Sequence, residues 1–263
     1  MRYWRKSNEN KFLNGQLKAT SSHPSILFIA PNKSGSSISA TIISEILLRE
    51  GLIQLDWEGY YACTEPDIKN THFSGKQFRD LQLPETGFFI GPLRRSIEIP
   101  ESSPIRVIIQ IRDPRDILVS HYYSMTRSHP VLTENYLKRK LEASHKTIDQ
   151  HVLDEAPRFR QLFTELIRSY FHTNNALFIR YEEMVELPEE WIKKTMNFLS
   201  IPLEKHENTI SKLNHHFTQG EGENKHKRQV KPGNFREQLL PETIDALNHE
   251  FSEILRTFNY SIS

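Results

Sequence analysis

Five consecutive polar residues near the N-terminus have the side chains and the position to bind a phosphate group. They are Lys33, Ser34, Gly35, Ser36 and Ser37. An apolar run of strand length (25–30) precedes them, and a segment with isoleucine and leucine at helical spacing follows. Because the first turn of a helix has free N–H groups and a positive dipole end, an anion is favoured there. The sequence therefore predicts a buried strand, a phosphate-binding loop and a helix.

The order of lysine and glycine distinguishes this loop from that of the P-loop triphosphatases, whose motif ends in Gly-Lys-Ser/Thr. Here Lys33 comes two residues before Gly35, so the lysine reaches an anion from the strand side. A small-molecule kinase of the P-loop class remains an alternative, because it shares the strand, loop and helix. It would also need carboxylates for magnesium, and no such pattern is found. A second alternative is an ordinary turn in which serine caps the helix.

Composition limits the class of protein. With 263 residues, 37% of them apolar and 25% charged, the chain has an ordinary globular composition. A net charge of +1 argues against a general nucleic-acid or membrane-surface binder. The single cysteine, Cys63, excludes an internal disulfide, and no run approaches the length of a membrane helix. We predict a cytoplasmic protein with no metal, and one domain over 1–263 whose first 23 residues form a flexible arm.

Apolar runs and helical patterns alternate along the chain. Strands are predicted at 25–30, 88–90, 105–111 and 176–179, and helices from Ser36, from Pro114, and over 133–172, 188–199 and 241–258. This order predicts an α/β fold, with a mostly parallel central sheet flanked by helices on both faces. Ligands of such folds bind at the carboxyl ends of the strands. Residues 52–87 have no sustained period, and 217–235, rich in glycine and charge, are predicted to form a long loop of the kind that is usually a lid or disordered.

Four sequence blocks occur in the order and spacing of a known family. The blocks are PNKSGSS (31–37), RDPRDILVSHYYS (112–124), RYEEMVELPEEWIKKTMNFLSIP (180–202) and RQVKPGNFRE (228–237). Together they resemble the PAPS-dependent sulfotransferases, where PAPS is 3′-phosphoadenosine 5′-phosphosulfate and PAP is its desulfated product. The resemblance implies a P-loop-like domain that moves a sulfonate group from PAPS to a hydroxyl or amine of a small-molecule acceptor. We predict no metal and, from the net charge of +1, no nucleic-acid or membrane partner; the oligomeric state is left unknown.

The resemblance also implies roles for individual residues. The loop from Lys33 to Ser37 would bind the 5′-phosphosulfate, and Arg112 and Ser120 would bind the 3′-phosphate. Tyr181 would lie by the adenine, and Arg228 would close over the 3′-phosphate. We therefore expect 217–235 to be mobile without the cofactor and to close when the cofactor binds. Arginine suits such a site because its planar fork matches phosphate oxygens.

The sequence departs from the family at the position of the catalytic base. Small-molecule members carry a histidine on the strand before the RxPxD block, whereas this chain has FFIGPLRRS (88–96) there. Glu65, His72 and His121 are the candidates for the base, and Lys33 is the candidate for the cation that stabilises the leaving group. A relative that binds the nucleotide without turnover is therefore a further alternative. For the acceptor, Arg94 and Arg95 suit an anion, and Glu65 and Asp67 suit a cation; the residues leave both open.

Overall fold

A five-stranded sheet forms the centre of the molecule. The computed structural model describes residues 7–64, 83–128, 134–206 and 231–262. The strands are β1 (Ile26–Ile29), β2 (Ile53–Leu55), β3 (Phe88–Leu93), β4 (Arg106–Ile111) and β5 (Ala176–Arg180). Their order is β2-β3-β1-β4-β5, and each neighbouring pair is parallel. The predicted parallel sheet is confirmed.

Helices connect the strands and cover the sheet. In chain order the α-helices are α1 (Asn8–Leu13), α2 (Ser36–Arg49), α3 (Trp57–Thr64), α4 (Pro114–Tyr123), α5 (Glu134–Ser144), α6 (Ile148–Tyr170), α7 (Tyr181–Glu186), α8 (Pro188–Leu199), α9 (Phe235–Gln238), α10 (Pro241–Glu250) and α11 (Ser252–Thr257). A π-helical turn (Ser124–Ser128) follows α4, and a 3₁₀ turn (Leu203–His206) follows α8. None of the helices in the described residues is both long and apolar enough to cross a membrane.

The core lies on both faces of the sheet. Leu27 and Ile29 of β1 are fully buried in a cluster with residues of α4, α6, α10 and α11. Ile26 and Phe28 of the same strand are fully buried in a second cluster, with residues of α2, α7 and α8. Because successive side chains of a strand point to opposite faces, an unbroken apolar run is what a strand covered on both sides requires. The predicted helices on both faces are confirmed.

Several predicted boundaries need correction. Within the predicted flexible arm, α1 packs against the core, because the Phe12 ring lies 5.9 Å from that of Trp57 and 5.5 Å from that of Phe88. The long helix predicted over 133–172 is two helices, because Thr147 and Gln150 form a capping box that begins α6. The helix predicted over 241–258 is also divided, at Phe251, whose ψ of 12° ends α10.

Strand β3 continues past Gly91-Pro92, where the sequence predicted its end. A Cβ at position 91 would lie 2.4 Å from the carbonyl oxygen of Phe28, so only glycine allows the two strands to come this close. The pairing of β3 with β1 shifts register between Leu27 and Ile29, which accommodates the irregularity. The strand therefore reaches Leu93 and delivers Arg94 to the edge of the sheet.

One edge of the sheet collects the functional candidates. The residue that follows each strand, from β1 to β5, is Ala30, Asp56, Arg94, Arg112 and Tyr181 respectively. All strands are parallel, so these five positions share the carboxyl edge, where ligands of such sheets bind.

Candidate active site

The predicted phosphate loop connects β1 to α2. Gly35 has φ of +82°, in the left-handed region that favours glycine, and it stands immediately before the first residue of α2. The hydroxyl of buried Ser34 donates to the carbonyl of Pro31 over 2.7 Å, which fixes the turn. Ser36 and Ser37 occupy the first turn of α2, where backbone N–H groups have no partner within the helix. The loop therefore directs donors out of the carboxyl edge of the sheet.

Lys33 lies in an environment of positive charge. Burial lowers the pKa of its ammonium group, and the charges of Arg112 and Arg94 lower it further. The Arg112 guanidinium also donates to the carbonyl of Lys33 over 3.2 Å. Gathering cations in this way is unfavourable without an anion, so the arrangement suits a ligand with several negative charges.

Arg112 keeps donors available for a ligand. Its side chain is buried and lies over the Tyr181 ring, 4.4 Å from the centroid, and it is 3.8 Å from the Asp116 carboxylate. Its Nε is buried and has no hydrogen-bond partner within the described ranges. Because a buried donor without a partner is costly, this atom favours a bound acceptor group such as a phosphate.

A network of fixed contacts holds Arg112 in place. The next residue, Asp113, caps α4 and forms a 2.7 Å ion pair with buried Arg115. Its backbone N–H donates to Glu182 over 2.9 Å, and Glu182 also accepts from the Tyr260 hydroxyl over 3.0 Å. Ser120 is half-buried in the second half of α4. Arg112 directly follows β4, and Ser120 lies within α4. Both positions agree with the sequence prediction.

Tyr181 packs directly on the phosphate loop. It is the first residue of α7, it is buried, and burial raises the pKa of its hydroxyl. A Cβ at Gly35 would lie only 2.5 Å from Tyr181 Cδ2 and 2.7 Å from its Cε2. The structure thus brings Lys33, Arg112 and Tyr181 together around the loop.

Gly35→Ala is expected to lower the free energy of unfolding by about 2 to 5 kcal/mol, from strain at positive φ and from overpacking. It should also weaken PAP binding, because the tyrosine must move. Gly15→Ala is the matched control, since Gly15 has φ of +67° and nothing within 4 Å of its added Cβ. Denaturant titration of both variants measures the difference. Equal losses at the two positions would contradict the close packing of Tyr181 on Gly35.

A family model described as a sulfotransferase domain matches residues 23–230. The chain belongs to the sulfotransferase domain family. Mouse Sulfotransferase 1A1 is 32% identical to it over 120 residues, which are 43% of this chain and 36% of that relative. The chain thus spans about a third of the length of this curated relative.

Two solved structures that contain PAP share the fold. Mouse sulfotransferase SULT7A1, complexed with PAP, superimposes with a TM-score of 0.63 at 15% identity, over 91% of this chain and 89% of that one. Retinol dehydratase, in a complex with retinol and PAP, gives a TM-score of 0.50 at 15% identity, over 94% of this chain and 84% of that one. The predicted P-loop-like α/β fold is confirmed.

Three of the residues predicted for the site of this sulfotransferase-domain protein lie outside the described ranges. They are Glu65, His72 and Arg228. Residues 217–230 of the predicted closing loop lie outside them as well, while 231–235 are described.

His121, the third candidate for the catalytic base, is buried between helices. Its Nδ1 lies 3.0 Å from His151 Nε2, and the two rings stack with centroids 5.2 Å apart. Burial, then the positive charge of Arg158, lowers the pKa of His121 to about 2. It is therefore neutral at neutral pH and a weak proton acceptor, and this environment gives no support to a role as base.

The sequence did not single out Asp116 as part of the site. Its carboxylate accepts the backbone N–H groups of Gly233, at 2.7 Å, and Phe235, at 3.0 Å. It thereby joins the end of the 228–237 block to Arg112, which it faces at 3.8 Å. The two blocks that resemble 3′-phosphate contacts thus meet at one carboxylate. The sequence repeats Arg-Asp at 112–113 and 115–116, which marks both aspartates as candidates. It did not show which of the two carboxylates would contact the backbone of 233–235.

Arg94 is the other residue that the sequence left open. Its Nη1 donates to the Ser36 hydroxyl over 2.7 Å and to the carbonyl of Ala30 over 3.0 Å, which ties β3 to the phosphate loop. Two carboxylates that follow β2, those of Asp56 and Glu58, act on its charge. Burial raises the pKa of both carboxyl groups. The sequence did contain a signal for a role of Arg94 in the site, because the pair Arg94-Arg95 directly follows an apolar run.

Proposed function

We propose that this protein is a PAPS-dependent sulfotransferase that moves a sulfonate group to a hydroxyl or amine of a small-molecule acceptor. The proposal rests on two groups of anion-binding side chains at the carboxyl edge of the sheet, which would form a site with two ends. One end is the loop from Lys33 to Ser37 at the start of α2, and the other is Arg112 with Ser120. PAPS likewise has a 5′-phosphosulfate and a separate 3′-phosphate. Family membership and the PAP held by two structural neighbours support the assignment.

The residues present fit the nucleotide. The buried Nε of Arg112, without a partner in the described parts of the chain, offers a donor for a 3′-phosphate oxygen. The first-turn N–H groups of α2 and the Ser36 and Ser37 hydroxyls offer donors for the 5′ end. Arg228, outside the described residues, would complete the 3′ end.

PAPS supplies an activated sulfonate when it is bound. The acceptor oxygen or nitrogen would form a bond to sulfur and release its proton to a base or to water. The bond from sulfur to the bridging oxygen would break at the same time, so negative charge would grow on that oxygen. Lys33 holds a positive charge at this end of the site, and Arg94 positions Ser36 beside it. Fixed charge directed at developing negative charge is commonly the largest catalytic contribution. Lys33 is therefore the residue to which we assign leaving-group stabilisation.

The cellular location is part of the same proposal. A chain with one cysteine forms no internal disulfide, which agrees with a reducing, cytoplasmic setting. One structural neighbour, retinol dehydratase, is in a complex with retinol, and we propose a small hydroxyl compound as the acceptor of this chain.

Transfer from PAPS to a panel of simple phenols, alcohols and amines in the presence of EDTA tests the proposal. Mass spectrometry should detect a sulfonated acceptor and stoichiometric PAP. An unchanged rate with EDTA is expected, because fixed protein cations take the role that magnesium has in phosphoryl transfer. Transfer from ATP that stops with EDTA would favour the kinase. Binding of PAP with no transfer to any acceptor would favour the relative without turnover.

A further inference from the structure

A cavity opens between the phosphate loop and helix α6. Asn32, which directly precedes Lys33, lies in its wall, together with Arg94, Arg95 and Arg158. The space measures about 90 Å³. That is room for about three water molecules, and so for one carboxylate-sized group rather than a whole acceptor.

The position of the cavity separates it from the nucleotide's 3′-phosphate end. In the sheet, β1 lies between β3 and β4. Arg112 follows β4, whereas Arg94 and Arg95 follow β3, so the two groups of arginines flank the phosphate loop on opposite sides. A ligand in this cavity would therefore approach the phosphate loop from the side away from Arg112.

The cavity is positively charged. Arg158 forms one ion pair, Nε to Glu155 at 3.1 Å, and Glu155 is shared with Arg139 at 3.5 Å. Burial lowers the pKa of Arg158, and the charges of Arg139 and Arg95 lower it further. Arg95 is exposed and has no ion pair within the described residues, and Glu165 is the one acidic side chain on the described part of the wall. Among the described residues that line this cavity, three arginines therefore accompany one glutamate.

The competing feature lies on the other side of Arg94. A second cavity there is lined by Asp56, Glu58 and Ser37, which would suit a cationic acceptor. Both carboxylates already have partners, however: Asp56 accepts the Gly59 N–H over 2.9 Å, and Glu58 accepts the backbone N–H of Arg94. The Arg94 charge also acts on both of them. The less compensated charge is therefore the positive one.

We propose that the cavity beside Asn32 binds an anionic group of the acceptor, such as a carboxylate, through Arg95 and Arg158. The inference rests on the proposed function and names the acceptor class as hydroxyl compounds that carry an oxyanion. Arginine serves such a group through charge-assisted, two-pronged hydrogen bonds.

Three phenols that differ in one substituent test the inference: 4-hydroxyphenylacetate, 4-hydroxyphenylacetamide and tyramine. Calorimetry on the PAP-bound protein should give about tenfold tighter binding for the carboxylate than for the neutral amide, and the weakest binding for tyramine. Arg158→Gln and Arg95→Gln should each remove most of that preference and leave PAP affinity unchanged. Arg160→Gln, on the same helix but paired with Glu250 at 2.8 Å, should keep it.

The outcomes distinguish failure of this inference from failure of the proposed function. Equal binding of the three phenols, binding of none, or preference for tyramine would overturn the inference, and the last would assign acceptor recognition to Asp56 and Glu58. An equal loss in the Arg160→Gln control would overturn it as well. Failure of PAP itself to bind would instead overturn the proposed function.

Discussion

Lys33→Ala is expected to lower kcat for sulfonate transfer by about a hundred- to a thousandfold, and to weaken PAP binding much less. The lysine charge contributes most when the bridging oxygen becomes anionic, which happens only in the transition state. The substitution adds no backbone strain of its own, because position 33 already has φ of +69° with a non-glycine residue. Steady-state kinetics with PAPS, together with PAP calorimetry, separate the two effects.

Lys33→Arg is the matched control, because it keeps the positive charge and should retain more of the turnover than alanine does. The pH dependence gives a second readout. Burial, then the charges of Arg112 and Arg94, lowers the pKa of Lys33, so the free protein loses this charge at a lower pH than an exposed lysine would. Nucleotide affinity should therefore fall as the pH rises through that pKa, and this fall should be absent in Lys33→Ala. An alanine variant with unchanged kcat and a raised Michaelis constant would make Lys33 a binding residue only.

Arg112→Gln is expected to weaken PAP binding by about ten- to a hundredfold and to leave AMP binding nearly unchanged. PAP differs from AMP by its 3′-phosphate, and each charge-assisted hydrogen bond that is lost costs about 1.5 to 3 kcal/mol. The buried Nε of Arg112 and its position over Tyr181 fix the guanidinium for this contact. Isothermal titration calorimetry with both nucleotides measures the effect.

Two variants control for the loss of an arginine. Arg49→Gln removes a charge from the exposed face of α2, where Arg49 pairs with Glu45 at 3.3 Å, and should change neither affinity. Arg112→Lys keeps the charge but not the planar fork, and should bind PAP with intermediate affinity. If Arg112→Gln weakened PAP and AMP equally, the residue would act on the fold or on the shared part of the nucleotide.

The parts of the fold that could be predicted from the sequence are those that local patterns determine. Residues 26–30 are buried and all apolar, because the strand is covered on both faces. This unbroken apolar run made the strand easy to predict. Asp113 and Pro114 give the start of α4 in the same local way, as cap and first residue. The order of these elements then determines the parallel sheet and its ligand-binding edge.

The parts that were missed depend on contacts between distant segments. Strand β2 has only three residues, and only Leu55 among them is fully buried, so no period was visible. The role of Arg94 depends on β3 passing through Gly91-Pro92, a pair that usually ends a strand. The choice of Asp116 over Asp113 as the partner of the 228–237 block depends on how α4 is rotated against residues 233–235, which no local pattern encodes.

The affinities of the unmodified protein for PAP and for AMP, measured side by side by calorimetry, test whether the protein has a 3′-phosphate site. A site with Arg112 and Ser120 at its second end predicts that PAP binds at least about a hundredfold more tightly than AMP, since several charge-assisted hydrogen bonds depend on the 3′-phosphate. Equal affinities would contradict the 3′-phosphate site and, with it, the assignment of PAPS as the sulfonate donor.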